Sequence, residues 1–228
     1  MKLFSTLLDL FFPRKCVFCG KILQKNEDDR CEICTESLPY TGFDEKLEGN
    51  YFDFCIAPLY YKDVVRNSML KYKFQNAPIY ADAFGRLLAE TIVEHPGLWI
   101  DSKPVFDIIT WVPLSEKRKK DRGYDQAELL VNATAKAMNA IQQSTFSTQK
   151  ILIKTLDVKP QSDIINDADR RINIEGAYEV PDTGLIISKC ILLIDDIITT
   201  GSTLEECSKT LLEAGASRII CATMCRRE

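Results

Sequence analysis

The sequence predicts an α/β protein in which helices flank a mostly parallel, twisted sheet, with a small N-terminal module held by four cysteines. Two nearly continuous apolar segments, 105–112 and 191–194, are typical of strands buried on both faces. Amphipathic helical patterns follow both segments, as in βαβ units. The third observation is a pair of C-x-x-C motifs near the N-terminus, which indicates a metal-held module.

Length and composition fit one α/β core with a small accessory module. The chain has 228 residues, of which 46% are hydrophobic and 27% charged, as in ordinary globular proteins. A formal net charge of -4 argues against a general affinity for polyanions, so any contact with nucleic acid would be local. Nine cysteines without a convincing secretory signal favour a reducing, cytoplasmic location.

The first 13 residues are predicted to form a docking helix. Leu3, Leu7 and Phe11 share one face, and Pro13 ends the helix. The segment is too short to span a bilayer and lacks a small-residue cleavage site, so neither a transmembrane segment nor a cleaved leader is predicted. Contact with a membrane surface stays open as an alternative.

The two C-x-x-C motifs predict a structural zinc site. Cys16 and Cys19 form the first motif, Cys31 and Cys34 form the second, and a polar segment separates them. Four thiolates complete the tetrahedral site that zinc prefers and leave no open position for substrate. Iron–sulfur ligation and redox disulfides are the alternatives. The other five cysteines lie in apolar patterns and are expected to be buried: Cys55, Cys190, Cys207, Cys221 and Cys225.

Three regions are predicted along the chain. Residues 1–45 comprise the N-terminal helix and the zinc module, 46–100 form a hood or linker, and 101–228 form the core. Within the hood we expect a strand over 54–61, a helix opening at Asp63 and a second helix over 80–94. The first of these helices carries Lys71 and Lys73, which are ordinarily solvated charges.

The main candidate site begins after the apolar strand 191–194. Asp195 and Asp196 are expected where this strand leaves the sheet, and the hydroxyl-rich stretch 199–203 then opens a helix that closes at Gly215. The glycine-containing turn leaves backbone N–H groups unpaired at the positive end of the helix dipole, where an anion such as phosphate is stable. The two carboxylates favour a neutral polyol or a divalent cation. A phosphorylated sugar satisfies both halves of the site.

A basic run follows the strand over 105–112. It contains Lys117, Arg118, Lys119, Lys120 and Arg122, and it should lie at the sheet edge where the acidic pair lies, since open α/β sheets bind ligands there. We favour Arg122 and Gly123 as functional positions. A further strand is predicted over 151–154. The long polar segment after it carries Lys159, Arg170 and Arg171 and is predicted to close over an anion. A solvated surface is the alternative for both segments.

The stretch from Ile191 to Thr203 resembles the phosphoribosyl pyrophosphate (PRPP) signature of the type I phosphoribosyltransferases. Both have an aliphatic strand, an acidic pair and a short Thr/Gly-rich loop that opens a helix. The resemblance implies a type I phosphoribosyltransferase fold. The alternative is an acidic strand end in another doubly wound protein, such as a phosphate-receiving signalling domain.

Almost the whole chain resembles the competence protein F (ComF) family. The shared features are the apolar N-terminal helix, the paired C-x-x-C motifs, LKY at 70–72, RGYDQ at 122–126, KT at 154–155, Gln161, Arg170, Asn173 and the PRPP signature. The family pattern usually has Asn where this chain has Asp125, and a glycine where it has Gln75 and Asn76. The resemblance implies a link to DNA uptake and, with it, partners in the competence machinery.

The resemblance also implies Mg²⁺-dependent transfer of a 5-phosphoribosyl group from PRPP. The catalytic residues would be Asp195, Asp196, Arg122, Arg170 and Arg171. The PRPP-binding residues would be Asp195, Asp196, Ile198, Thr199, Thr200, Gly201, Ser202, Thr203, Pro113, Leu114, Ser115 and Lys117. The alternative is a competence accessory protein that binds single-stranded DNA through the zinc module and the basic run, with Phe18 and Tyr124 stacking on bases and a PRPP pocket that is not catalytic.

Overall fold

The computed structural model describes residues 13–42, 45–75, 79–156 and 174–228. The strands in chain order are β1 (Cys55–Ile56), β2 (Leu59–Tyr60), β3 (Trp99–Ile100), β4 (Lys103–Pro104), β5 (Ile108–Trp111), β6 (Ile153–Lys154), β7 (Tyr178–Glu179), β8 (Cys190–Ile198) and β9 (Arg218–Arg226). The helices are α1 (Glu32–Ser37), α2 (Asp63–Phe74), α3 (Tyr80–Glu94), α4 (Glu116–Arg122), α5 (Gln126–Gln142) and α6 (Ser202–Glu213).

A parallel five-stranded sheet forms the centre of the molecule. β8 pairs with β5 on one side and with β9 on the other, and both β1 and β2 pair with the outer edge of β9. The register places Ile191 between Ile108 and Ile219. The predicted βαβ unit of β8, α6 and β9 is therefore confirmed, as is the α/β class with a mainly parallel sheet.

Side chains alternate along β8, so the strand contributes to a core on each face of the sheet. Leu192 and Ile194 pack on the face covered by α3 and α5, whereas Ile191 and Leu193 pack on the face covered by α6. The helices α3 and α5 approach closely at Gly85. A Cβ atom there would lie 2.5 Å from the Cβ of Ala133, so only glycine fits this crossing.

The zinc module packs against helices α2 and α3. The Ser68 hydroxyl of α2 is buried and donates to the carbonyl oxygen of Val17 at 2.7 Å, inside the first C-x-x-C motif. Arg86 of α3 forms an ion pair with Asp29 at 2.7 Å. Cys16, Cys31 and Cys34 share one hydrophobic cluster with the helices, so the module is a packed part of the molecule.

Three predicted features differ in the structure. The strand predicted over 54–61 is two short strands, because Pro58 lies between them and has no N–H to donate to the sheet. Within the segment 151–154, only Ile153 and Lys154 form a strand, and it pairs antiparallel with β7 outside the main sheet. The acidic pair lies within β8 and not beyond its end, because pairing with β9 continues to Ile198.

The unequal lengths of the strands create the site. β5 ends at Trp111, opposite Ile194, whereas β8 continues for four residues and remains paired with β9. The last four residues of β8 therefore border an opening on the β5 side. The predicted helix 1–13 lies outside the described residues apart from Pro13. Among the residues that the structure does describe, no helix has the length and apolar character needed to cross a membrane.

Candidate functional site

The four-cysteine cluster has the geometry of a closed metal centre. The Sγ atoms of Cys16, Cys19, Cys31 and Cys34 all lie within 4.8 Å of one another, and none forms a disulfide. A tetrahedral zinc ion with Zn–S distances of about 2.3 Å needs such a separation. Gly20 has a left-handed backbone, with φ of 77°, and donates to the Cys16 carbonyl at 2.9 Å, which closes the first turn around the sulfurs. The donor set fits structural zinc.

A cleft of about 500 Å³ opens at the carboxyl ends of β5 and β8. Its walls come from α2, α4, the β6–β7 pair and the start of α6. The lining residues used below are Arg66, Lys73, Phe74, Pro113, Leu114, Arg118, Arg122, Gln126, Lys154, Tyr178, Asp195, Asp196, Thr199, Thr203 and Arg227. The acidic pair, the start of the hydroxyl-rich loop and one end of the basic run thus meet in one cavity.

The two acidic residues point to opposite sides of the sheet, as consecutive residues on a strand must. Asp196 is 4% exposed and forms an ion pair with Lys73 of α2 at 2.8 Å. Asp195 lies on the α6 side. Burial, and next the negative charge of Asp195, raise the pKa of the Cys207 thiol on that helix. The pair therefore consists of two carboxylates in different surroundings.

Of the two carboxylates, Asp195 has fewer favourable charge partners. Its Oδ1 accepts a hydrogen bond from the Asp196 amide at 2.8 Å, and no basic side chain among the described residues lies within ion-pair distance of it. Burial raises its pKa to about 8, with the charge of Asp196 adding to the effect. A carboxyl group that is half-buried and lacks a cation is suited to a ligand that brings hydroxyl donors or positive charge.

The loop that follows β8 has the geometry of an anion-binding turn. Gly201 adopts a left-handed conformation with φ of 77° at the N-cap of α6. Thr199 and Thr203 line the cleft, whereas the buried Ser202 hydroxyl is engaged with that of Thr200 at 2.9 Å. Ile198 is 4% exposed and packs into the core, so only its backbone is available to a ligand.

The basic run is divided between the cleft and the surface. Pro113, Leu114 and Arg122 line the cleft. Ser115 instead caps α4 by accepting from the Arg118 amide at 3.4 Å, and Lys117 is exposed outside the lining. Of the four PRPP-binding positions predicted in this segment, Pro113 and Leu114 therefore lie in the cavity wall, whereas Ser115 and Lys117 do not.

Two buried polar atoms in the cleft lack hydrogen-bond partners among the described residues. They are Nη1 of Arg122 and Oε1 of Gln126. Burial lowers the pKa of the Arg122 guanidinium, whose face covers the ring of Phe74 at 4.9 Å. Unpaired buried polar groups are rare because each costs free energy, so a donor and an acceptor left open in one cavity indicate a ligand that supplies both partners.

Asp125, which stands where the family pattern usually has Asn, has a structural role. Asp125 is 4% exposed and caps α5, accepting from the amides of Ala127 and Glu128 at 3.1 and 3.2 Å. Its other oxygen accepts from the Leu114 amide at 2.9 Å and so fixes the wall of the cleft. Asp and Asn are equally good helix N-caps, so the carboxylate performs a local structural role in place of a ligand contact.

Sequence patterns missed several residues of the cleft wall. Lys73 was expected to be solvated, yet it is paired with Asp196. Lys154 and Tyr178 contact each other at 3.2 Å on the β6–β7 pair, and Arg66 and Arg227 occupy the opposite rim. Tertiary folding brings these residues together, so the sequence carries no local signal for them. Lys159, Arg170 and Arg171, proposed to close over an anion, lie outside the described residues.

Family models match two parts of the chain. A model of the phosphoribosyl transferase domain matches residues 135–228, and a model of the double zinc ribbon domain matches residues 7–43. The first match contains the acidic pair and the loop before α6, and the second contains all four clustered cysteines. Part of the cleft wall, including Lys73, Pro113 and Arg122, comes from outside the transferase match.

Curated relatives include two competence proteins. Competence protein F of Haemophilus influenzae is 26% identical, and the match covers 92% of this chain and 95% of the relative. Competence protein ComFC of Streptococcus pneumoniae is 29% identical, with coverage of 70% and 62%. The DNA utilization protein YhgH of Escherichia coli strain K12 is 27% identical, with coverage of 68% and 63%. The chain thus spans nearly all of the first relative and somewhat less than two thirds of the other two.

Among solved structures, the glutamine PRPP amidotransferase from B. subtilis matches 68% of this chain and 30% of its own, with 18% identity and a TM-score of 0.42. The family models and the curated relatives agree with the observed parallel sheet and cysteine cluster. The chain therefore resembles competence protein F over most of its length and combines a phosphoribosyltransferase-type core with an N-terminal zinc ribbon.

Proposed function

We propose that the cleft binds PRPP and that the protein transfers or senses its 5-phosphoribosyl group. The supporting observation is the convergence of three groups in one cavity: the acidic pair of β8, the left-handed turn before α6, and the open polar atoms of Arg122 and Gln126. A phosphorylated sugar offers hydroxyls, a phosphate and further anionic oxygens, which are the partners that these groups lack.

In this proposal each wall of the cleft holds one part of the ligand. Asp195 and Asp196 accept hydrogen bonds from the ribose hydroxyls, and the loop 199–203 holds the 5-phosphate with its amides and hydroxyls. Arg122 and Arg118 face the pyrophosphate. Positive charge there stabilises the departing pyrophosphate more than the bound ground state, and this difference lowers the barrier.

Magnesium fits the proposal through the ligand's own oxygens. Asp196 is already paired with Lys73 at 2.8 Å, which makes it a poor first partner for a second cation. Mg²⁺ would therefore be held mainly by pyrophosphate and ribose oxygens, where it would neutralise charge that develops on the leaving group. Zinc has a separate, structural role in the cysteine cluster. None of the nine cysteines forms a disulfide, which supports the cytoplasmic location that we propose.

Ligand-induced stabilisation tests the pocket. PRPP at a hundred times its Kd, with Mg²⁺, should add about 2.7 kcal/mol and raise the melting temperature by roughly 5 to 10 °C. The Asp195→Asn, Asp196→Asn double variant should lose this shift, whereas Asp82→Asn, at an exposed acid on α3, should retain it. Absence of a shift in the wild type, or an equal shift in the double variant, would reject the pocket. Pyrophosphate release across a panel of nucleobases then separates transfer from sensing.

A second candidate is binding of single-stranded DNA. The names of the relatives favour it, and so do Arg66 and Arg227, which are exposed at the rim of the cleft and form no ion pair within the described part of the chain. The stacking role expected of Phe18 is wrong, because this ring is 5% exposed and packs against Phe84. DNA held by the rim arginines should dissociate steeply as salt rises, and Arg66→Ala, Arg227→Ala should remove that dependence.

A further inference from the structure

We propose that Lys73 is a positioning residue of the cleft, which holds the Asp196 carboxylate in one orientation so that the acidic pair presents a fixed acceptor to the ligand. This inference rests on the proposed function. Lys73 belongs to α2, outside the part of the chain that matches the transferase domain. The residue completes a site whose acidic half lies more than a hundred positions later in the sequence.

The contact between Lys73 and Asp196 is buried and short. Lys73 Nζ lies 2.8 Å from Asp196 Oδ1, and the two side chains are 21% and 6% exposed. Burial alone would lower the pKa of Lys73, but the neighbouring carboxylates of Asp196 and then Asp195 outweigh it, and the pKa is raised. The lysine is therefore charged when it meets the aspartate, and the contact is an ion pair and not a neutral hydrogen bond.

Helix α2 is fixed along the turns that precede Lys73, so the lysine has a defined position. Met69 and Tyr72 are fully buried, and the Tyr72 hydroxyl donates to the Gln126 carbonyl oxygen at 2.6 Å. Ser68, one and a half turns earlier, donates to the zinc module. The helix thus connects the metal-held module, the start of α5 and the acidic pair, and an ammonium group carried by such a helix can orient its partner.

Other charged and titratable groups near Asp196 do not replace Lys73. Those facing it from the surrounding elements are Tyr61 and Tyr72 beside and on α2, Arg122 on α4, Asp195 on β8 and Cys225 on β9. Arg122 is the other cation, and its guanidinium covers the Phe74 ring. Among the described residues, Lys73 is the basic side chain within ion-pair distance of Asp196.

The physical reason for the lysine follows from burial. A carboxylate at 6% exposure without a partner is costly to bury, so it turns toward water and no longer presents a fixed acceptor. Paired with Lys73, it keeps its orientation before the ligand arrives. Asp195 has no such partner and therefore has a different role. It is the carboxyl group that responds to the ligand, whereas the orientation of Asp196 is fixed before the ligand binds.

A double-mutant cycle on PRPP affinity, measured with Mg²⁺ by calorimetry, tests this division. Lys73→Met should weaken binding about 5- to 100-fold, the range for coupled neighbouring residues. Lys73→Arg should restore most of the affinity, because it returns a cation to the same carboxylate. Lys71→Met, on the same helix but outside the cleft lining, is the matched control and should bind as the wild type does. Melting curves without ligand establish that each variant is folded.

The combined variant Lys73→Met, Asp196→Asn distinguishes positioning from direct contact, and it also avoids leaving a buried charge unpaired. If the lysine acts through the aspartate, the combined variant binds no more weakly than Asp196→Asn alone. Additive losses would show that Lys73 contacts the ligand itself, and they would overturn the proposal, as would wild-type affinity in Lys73→Met or failure of Lys73→Arg to restore binding. A wild-type protein that does not bind PRPP would instead reject the proposed function, and the positioning role with it.

Discussion

The cysteine cluster and the cleft are both sites for ligands, yet they differ in how completely their own atoms are satisfied. A single zinc ion would use all four thiolates, and the module around it is packed against α2 and α3. In the cleft, Arg122 and Gln126 keep unpaired buried atoms and Asp195 lacks a cation. The closed site is built to hold a fold together, whereas the open site retains unfavourable free energy that a ligand relieves.

This difference predicts opposite consequences for substitution. Removing one cysteine from the closed site leaves the other three thiolates without a complete metal site, so it should reduce stability. Removing a group from the open site removes an unsatisfied atom, so binding should be lost while stability is unchanged or increased. Four experiments, the first three taken in order of expected effect, test whether the two sites separate in this way.

The largest effect is expected from the closed site. Cys31→Ser, at a thiol that is 1% exposed, should abolish tight zinc binding and unfold the module, since metal binding supplies on the order of 10 kcal/mol to segments of this kind. Zinc content and protease cleavage within residues 13–42 measure the result. Cys190→Ala is the control, because this buried cysteine lies outside the cluster. A resistant, zinc-free Cys31→Ser protein would contradict a structural role for the metal.

The second effect concerns Arg122. Arg122→Met should weaken PRPP binding by about 10- to 100-fold, since it removes a charge-assisted contact from a buried position. The unfolding midpoint in urea should be equal to or above that of the wild type, because an unpaired buried N–H is lost. Arg118→Met is the neighbouring comparison. A large loss of stability in Arg122→Met would show that the arginine belongs to the fold and not to the open site.

The third experiment tests whether the two sites are coupled through α2. The Ser68 hydroxyl of α2 donates to the Val17 carbonyl oxygen of the zinc module, and the same helix carries Lys73. Ser68→Ala should therefore weaken PRPP binding by a few fold, with zinc retained. Thr91→Ala, which removes a hydroxyl bond within α3, should leave binding unchanged. Equal affinities in both variants would mean that the closed and open sites are independent.

The fourth experiment measures a pH dependence of stability. The pKa of Asp195 is raised to about 8, from an ordinary value of about 3.9, by burial and by the charge of Asp196. The folded state then keeps a proton that the unfolded chain has lost, so the free energy of unfolding falls as pH rises between those two values. Asp195→Asn should flatten this decline in urea titrations at pH 6 and pH 8.5, and Asp82→Asn should not. An unchanged slope in Asp195→Asn would refute the assignment.

The central fold was predictable because its signals are local. The apolar run before Asp195, the turn at Gly201 and the helical period after it specify β8, α6 and β9 almost completely. The break in the strand over 54–61 was also present in the sequence as Pro58, but the apolar pattern obscured it. The pairing of β6 with β7 outside the main sheet depends on contacts between segments distant in sequence, which local pattern does not determine.

The candidate site was predictable where its residues are adjacent in sequence. Asp195, Asp196 and the loop after them form one motif, and the cysteine pairs form another. Lys73 could not be found in this way, because its partner Asp196 lies on a different element. Its neighbours in sequence are those of an ordinary basic helix end. Asp125 was noted only as a departure from the family's Asn, and its oxygens are used by backbone amides, which the sequence did not reveal.

The divided strand at the border of the sheet has a further consequence. β1 and β2 contribute two residues each, Pro58 lies between them, and single bridges from Leu47 and Tyr40 cover their outer side. A long, straight border would offer a row of free amides and carbonyls to the same strand of a neighbouring molecule and so invite aggregation. An interrupted and shielded border offers no such template, which protects the chain at the high local concentrations that follow synthesis.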